Sequence, residues 1–594
     1  MNNLFQYVRR QCQLVARKII PALRDRSLTS MLPILISARF GNISPSFFNW
    51  LIFSFAALSV HGLLILNDGV YWDGWLLNSI LQDRRLDDLQ DWYMTLGLPI
   101  GAYFNWLFSY AGNIVASYKI VAFLSLVGVA ATTYHLAGRI MAASINERLL
   151  VALVVLTYPG YQNAVDMVTV LYLVCLLLFL LAWSVALHAK LYRGRCQLPF
   201  RVISLILFFL SFNFNSLLVV YLVAFVSILA ASQRNTLPST SKFDIVQRLI
   251  RAVWSNLDFL FLPFIYWIMK ETLSPRAGLY SNYNRFNLDW VSVVDSFAAF
   301  VSNGLLYQFY DAFRFLVHSP WLLIVVMPLS FLLMQRSARG HGRLPHPSSP
   351  TPIVLFLWGV LILILSILPY ALVGLSPTRS GWGTRHALLL GLSLSVLLLA
   401  MVRAFSKAGV VQRYLVALLL SGLIVGFAGV QFYTYLSWQA RWAKDKSVIE
   451  ALRSQPQYSG YSTYYVSDSF PLGRESWYRF YEWGSLMQAA WGGQSRVGLD
   501  ASIYPENFFH QSNNRQFITR LYNIESFNPS GPKICLHISP SEPKRSPARL
   551  AVDYLYARYI SAAALPVFLK TVSDIQFCAS PPCPWDCPLS QAIN

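Results

Sequence analysis

Apolar runs of membrane-spanning length recur through most of this chain. A membrane helix needs about 20 mostly apolar residues. Runs that meet or approach this lie near 47–66, 114–138, 148–165, 166–187, 201–213, 214–231, 254–272, 320–335, 352–374, 385–403 and 414–434. They predict about eleven transmembrane helices. Residues 1–46 are basic and only intermittently apolar, with no cleavable signal peptide expected; Val8–Leu23 reads as an amphipathic helix on the inner membrane surface. From 435 to 594 the pattern turns polar. YSTYYVSD there reads as a strand and ESWYRFYEWGSLMQAAW as a helix, which predicts a small α/β C-terminal domain ending in the Pro-rich stretches SPSEPKRSP and CASPPCPWDCP.

The charges between the runs orient them. With the basic N-terminus in the cytoplasm, every second loop is basic: Arg139 and Arg148; Lys190, Arg193, Arg195 and Arg201; Arg234, Lys242, Arg248 and Arg251; Arg336, Arg339 and Arg343; Arg403, Lys407 and Arg413. This agrees with the positive-inside rule. It puts the long loop 67–113 and the whole 435–594 domain outside. The fold class expected is an α-helical polytopic membrane protein with an outer-face, periplasmic C-terminal domain.

Composition changes the picture only by exclusion. Of 594 residues, 55% are hydrophobic and 12% charged, against about a quarter charged in soluble domains. The formal net charge of +20 is accounted for by the cytoplasmic loops, and nucleic acid is not an expected partner. Four of the 7 cysteines, Cys535, Cys578, Cys583 and Cys587, lie in the tail. An even number in an oxidising compartment predicts two disulfides, with three pairings open. Zinc is the rival, but the spacing lacks a CxxC pair and no His lies close. No P-loop, HExxH or Rossmann fingerprint is present.

The chemistry-bearing residues sit at the outer ends of the runs. NDGVYWDGW (67–75) leaves the first run with two acids, Asp68 and Asp73, among Tyr71, Trp72 and Trp75. Aromatics beside a carboxylate anchor a loop at the lipid interface, or they form a sugar-stacking wall and raise the acid's pKa by desolvation. A helix cap at Asn67 or Asp68 is the structural alternative. Beyond them Leu77, Ile80 and Leu81 share one helical face, which Leu86, Leu89 and Trp92 continue after a break. Asp166, after TYPGYQNAV, stands at the start of a run as an N-cap or a site acid, with Tyr158 and Gln162 near it. Outer-face cations run against the charge rule. SPTRSGWGTRH supplies Arg379, Arg385 and His386, and ETLSPRAGLYSNYNRFN supplies Arg276, Tyr280, Tyr283 and Arg285; guanidinium forks suit phosphate oxygens.

An acid pair just after the first membrane helix, then a juxtamembrane helix in a long first outer loop, resembles the GT-C superfamily of membrane glycosyltransferases. The resemblance implies a polyprenyl-phosphate-linked sugar as donor. It implies a glycan, lipid or protein as acceptor, in contact with membrane lipid, with inversion at the anomeric carbon. It places the general base at Asp68, with Asp73 second and Asp166 as acceptor orienter or metal ligand, and Mg or Mn as a possible cofactor. Arg385, His386, Arg379 and Arg276 become the donor-phosphate group, and Tyr71, Trp72, Trp75 and Tyr280 the sugar or acceptor wall. The family's adjacent acid pair is replaced here, since Gly69 follows Asp68. The expected location is a bacterial cytoplasmic membrane. The rivals are an O-antigen ligase or polymerase, whose main outer loop comes late in the chain, and a transporter or flippase, for which no internal repeat is visible.

Overall fold

The computed structural model describes residues 45–594 apart from 192–196, 234–241, 278–279, 282–284, 287–288, 331–349, 408, 471–477, 494–495, 501–526, 529, 543–544 and 579–594. Several expectations fall outside these residues: the helix at 8–23, Tyr283, Cys583 and Cys587, and the basic residues 193, 195, 234, 336, 339 and 343. The chain forms two compact units, 1–55 and 56–594. The described part of the first is the beginning of helix α1 (Pro45–Ile65), and every later element belongs to the second.

Three short helices form the loop after α1: α2 (Gly74–Gln82), α3 (Leu86–Thr95) and α4 (Pro99–Trp106). The apolar face read from the sequence is the buried one, with Leu77, Ile80, Leu81, Leu89 and Trp92 all inside. The break between α2 and α3 holds Arg84 at φ 53°, a left-handed backbone that no helix continues through. The membrane region then runs α5 (Ile114–Ile140), α6 (Ile145–Thr157), α7 (Val170–Ala189), α8 (Leu198–Ser211), α9 (Ser216–Gln233), α10 (Lys242–Trp254), α11 (Leu257–Leu273), α12 (Trp290–Ala299), α13 (Tyr307–His318), α14 (Pro352–Ala371), α15 (Leu390–Ala404) and α16 (Val410–Arg453).

Six of the described helices are long and apolar enough to cross a membrane, or seven if the bent pair Val246–Trp254 and Leu257–Leu273 is one span. Asn49–Ile65, Leu198–Ser211, Pro320–Ser330 and Leu390–Ala404 are apolar but shorter. One span-length segment departs from the hydropathy pattern. Trp290–His318, made of α12, a π-helical turn at Phe300–Leu306 and α13, falls where the sequence predicts an outer loop. Asp295, Asn303, Gln308 and Asp311 dilute its hydropathy, and Asp311 is neutralised inside the protein by Arg379.

The 44 residues of α16 make a rod of about 66 Å at 1.5 Å per residue, twice a hydrocarbon core of about 30 Å. The helix therefore runs on through the boundary expected near 435. Val448, Ile449 and Leu452 at its end pack into the core of the C-terminal sheet domain with Tyr464, Trp483, Ile534 and Leu536. That domain is a four-stranded sheet in the order β2-β1-β3-β4, from β1 (Thr463–Asp468), β2 (Val497–Asp500), β3 (Lys533–Pro540) and β4 (Ser573–Cys578). β1 is parallel to β2 and β3, and β4 is antiparallel to β3. Helices α17 (Phe480–Trp491) and α18 (Pro547–Tyr559) flank it.

Cys535 and Cys578 are disulfide-bonded and stand opposite one another in the β3–β4 register, at an antiparallel spacing that suits a disulfide. Replacing Cys535 with Ser should therefore loosen β4, the sheet's last strand, by about 2–4 kcal/mol. Hydrogen exchange of the Ser573–Cys578 amides, with and without the substitution, checks this.

Candidate functional site

The outer-loop acids are separated by what holds them. Asn67 makes the local turn, its Oδ1 accepting from the Gly69 N–H (2.9 Å) and the Tyr71 hydroxyl (3.1 Å). Asp68 does not cap a helix. Its carboxylate accepts from the Tyr554 hydroxyl (3.1 and 3.2 Å) and pairs with Arg558 (3.2 Å), both on α18. It ties the loop to the C-terminal domain. Asp73 opens α2 without a side-chain cap bond, and its Oδ1 accepts from the Tyr481 hydroxyl on α17.

Asp166 lies in the connection between α6 and α7. It is not the N-cap of α7, which is Thr169. The side chain is fully buried, and neither carboxylate oxygen has a well-formed hydrogen bond. A Cβ placed on Gly74 would come within 2.9 Å of Asp166 Oδ1, so the carboxylate rests against the first residue of α2, next to Asp73. Burial pushes the Asp166 carboxyl well above the usual carboxylate range, and the charge of Asp73 pushes it further; Lys119 opposes both. Lys119, on the first turns of α5, is buried, donates to the Val165 carbonyl and lies 5.0 Å from the centre of the Tyr71 ring. Two acids from separate connections and one buried lysine thus lie close together in the interior. A buried acid without a partner costs about 1–3 kcal/mol or more, and such groups concentrate where a ligand is received.

The aromatics named from the sequence serve the protein rather than an open wall. Tyr71 is fully buried and donates to the Trp438 carbonyl (2.7 Å). Trp75 packs on Trp442 and the sheet-domain core. Trp72 is buried between Trp438 (4.6 Å) and Trp382 (5.1 Å) and holds φ at 46°, a strained backbone for a bulky residue. Its N–H donates to Glu482 Oε1 (2.9 Å). The half-open aromatic beside them is Trp382. Tyr280 instead meets α3, accepting from Trp92 Nε1 at 3.2 Å.

The four outer cations divide in the same way. Arg385 lies over Trp382 (4.4 Å) and donates to its carbonyl (2.8 Å), so it borders the Trp72–Asp73 turn, half-open to solvent. Asn163 Nδ2 donates to the same carbonyl (2.8 Å), and Thr384 donates to Asn163 Oδ1 (2.7 Å), which fixes this loop against the one carrying Asp166. His386 is buried against Tyr370 (4.9 Å); burial, then Arg385, pushes its pKa down to about 3. Both influences disfavour the protonated ring at this position. Arg379 forms a bidentate pair with Asp311 and lies over Tyr307 (4.6 Å). Arg276 lies against Gly97, in the turn between α3 and α4, and its neighbour Ala277 donates to the Thr95 carbonyl (3.3 Å).

Sequence reading missed four contributors: Lys119, Trp382, Tyr481 and Glu482. Lys119 had a signal, a lysine inside an otherwise apolar run. Tyr481 and Glu482 had none, since they meet Asp73 and Trp72 across some 400 residues of chain. Among the described residues no three His, Cys, Asp or Glu side chains converge as a metal-binding group. Comparison with family models, curated proteins and solved structures returns no match.

Proposed function

We propose that this protein is a membrane glycosyltransferase of GT-C type, with about eleven spans, in a bacterial cytoplasmic membrane and with its site on the periplasmic face. It transfers a sugar from a polyprenyl-phosphate-linked donor to a glycan, lipid or protein acceptor. The observation that carries this reading is the buried Asp166 carboxyl, which has no side-chain hydrogen-bond partner, packed against Gly74 and near Asp73, with Arg385 lying over Trp382, the ring that meets Trp72. The geometry favours Asp73 over Asp68 as the base, because Asp68 is engaged by Tyr554 and Arg558.

In this reading the acceptor hydroxyl replaces the Tyr481 hydroxyl on Asp73. Asp166, which has no side-chain partner, orients the acceptor through a hydrogen bond. As the acceptor oxygen bonds to the anomeric carbon from one face, its proton passes to Asp73. The bond from that carbon to the phosphate oxygen breaks on the other face, so the configuration inverts. The lipid phosphate leaves with its negative charge against Arg385. Positioning and charge stabilisation supply most of the rate.

Sugar transfer by the purified protein, offered a panel of polyprenyl-phosphate sugars, tests this. Asp73→Asn should lose about 10²–10⁴-fold in turnover and keep donor binding. Asp68→Asn should keep most of its turnover while loosening α18 from the loop. Arg385→Ala should weaken donor binding, whereas Arg379→Ala should lower thermal stability by removing its ion pair with Asp311. Full turnover by Asp73→Asn, or no transfer by the wild type from any donor, would reject the reading in favour of a ligase or a transporter.

A further inference from the structure

A second polar cavity lies at the opposite end of α7 from Asp166, about 30 Å away along a 20-residue helix. Its volume is about 210 Å³, and Lys190, Gln197, Arg201, Ala231, Ser232 and Ser255 line it. By the share of a water in liquid, roughly 30 Å³, it has room for a phosphate group and a few waters.

The lining is built for an anion. Lys190 follows the last residue of α7, and its Nζ donates to Asn256 Oδ1 (2.7 Å). Asn256 is in turn fixed by its own donation to the Ala252 carbonyl (2.7 Å). Arg201 pairs with Asp258 and donates to the Ser255 carbonyl (2.6 Å). Two cations thus face one carboxylate. Burial, then Arg201, pushes Lys190 down to about 8, with Asp258 opposing; a bound anion would relieve that pressure. Helices α8 and α11 both begin here, and neither Gln197 nor Asn256 caps its helix with a side-chain hydrogen bond. The Phe259 N–H at the start of α11 is taken by Asp258 (2.9 Å), so the attraction for an anion comes from Lys190 and Arg201.

The surroundings are apolar. Leu198 (62% exposed), Val202 (45%) and Trp254 (70%) stand open on the elements that form the cavity. Free phosphate has no use for such a rim, whereas acyl chains do. Basic pockets between membrane helices accept phosphate headgroups in this way.

We infer that this cavity is a binding site for the phosphate headgroup of an anionic phospholipid, whose chains run over Leu198, Val202 and Trp254. The site is independent of sugar transfer.

Native mass spectrometry of the purified full-length protein tests the inference, after exchange into phosphatidylglycerol or phosphatidylcholine and with or without inorganic phosphate. The wild type should retain phosphatidylglycerol in preference to phosphatidylcholine. Lys190→Gln, which keeps a donor for Asn256, should retain about fivefold less, the loss expected for one lysine at an anionic headgroup; Lys190→Arg should retain it. Gln197→Glu removes no side-chain cap of α8 and should also weaken retention. Equal retention of the two lipids, or unchanged retention in both Lys190→Gln and Gln197→Glu, would overturn the inference. Displacement of the lipid by millimolar inorganic phosphate would make this a free-phosphate site and refute the lipid assignment.

Discussion

Asp166→Asn should abolish sugar transfer while leaving the fold at least as stable as the wild type. The carboxyl is buried, with no side-chain hydrogen-bond partner, against Gly74 and near Asp73 and Lys119. An acid in that position contributes nothing to packing that an amide of the same shape would not. Turnover should fall by about 10²–10⁴-fold, the range for loss of a positioned acid or base. The pH dependence separates function from structure. Because the folded-state pKa of Asp166 is raised, the folded protein holds a proton there that the unfolded chain releases near pH 4. Above that pH the unfolded state binds fewer protons, so stability declines as pH rises toward the raised pKa. Asp166→Asn should match the wild type near pH 4 and lose less stability than it between pH 4 and neutrality. Thermal unfolding across that range, run beside the transfer assay, checks both halves. An inactive variant that is also destabilised at every pH would make Asp166 a structural residue.

How much the sequence made legible depends on the range of each interaction. The buried face of α2 and α3 is a local pattern of apolar residues that stands in the structure, and so does the multi-pass helical class, with six or seven span-length helices among the described residues against about eleven expected. So do β1 and α17. Asp166 was visible as an acid at the edge of an apolar run, where a charge needs a reason. Asp68 and Asp73 were visible as a pair but not distinguishable, because the groups that separate them, Tyr554, Arg558 and Tyr481, belong to helices of the C-terminal domain. Arg379 and Arg385 also look alike in sequence. Only the fold brings Asp311 to one and Trp382 to the other. The extension of α16 was missed for a related reason. Its Arg441, Lys444 and Asp445 lie in the stretch where the pattern turns polar, yet all three are buried in the structure.

That burial sets the second large effect. Arg441 and Glu482 form an ion pair (2.5 Å) with both side chains fully enclosed. Glu482 also accepts from the Trp72 N–H (2.9 Å) and the Arg479 N–H (3.0 Å). Arg441 lies over Tyr478 (4.0 Å) and near Trp438 (5.5 Å). One carboxylate therefore joins α16, the start of α17 and the strained turn that precedes Asp73. Removing one partner from a buried pair strands the other charge, at a cost of about 3–5 kcal/mol, whereas replacing both with apolar groups is often close to neutral. Glu482→Ala should accordingly release Trp72 and the start of α17. Hydrogen exchange should quicken at the Trp72 and Arg479 amides, and sugar transfer should fall because Asp73 loses its fixed position. The double substitution Arg441→Met with Glu482→Leu should recover most of the stability. It should not recover transfer, because the Trp72 N–H still lacks its acceptor. Recovery of both would make the pair a packing device alone. Recovery of stability without transfer would assign Glu482 the task of holding the catalytic turn in its left-handed conformation.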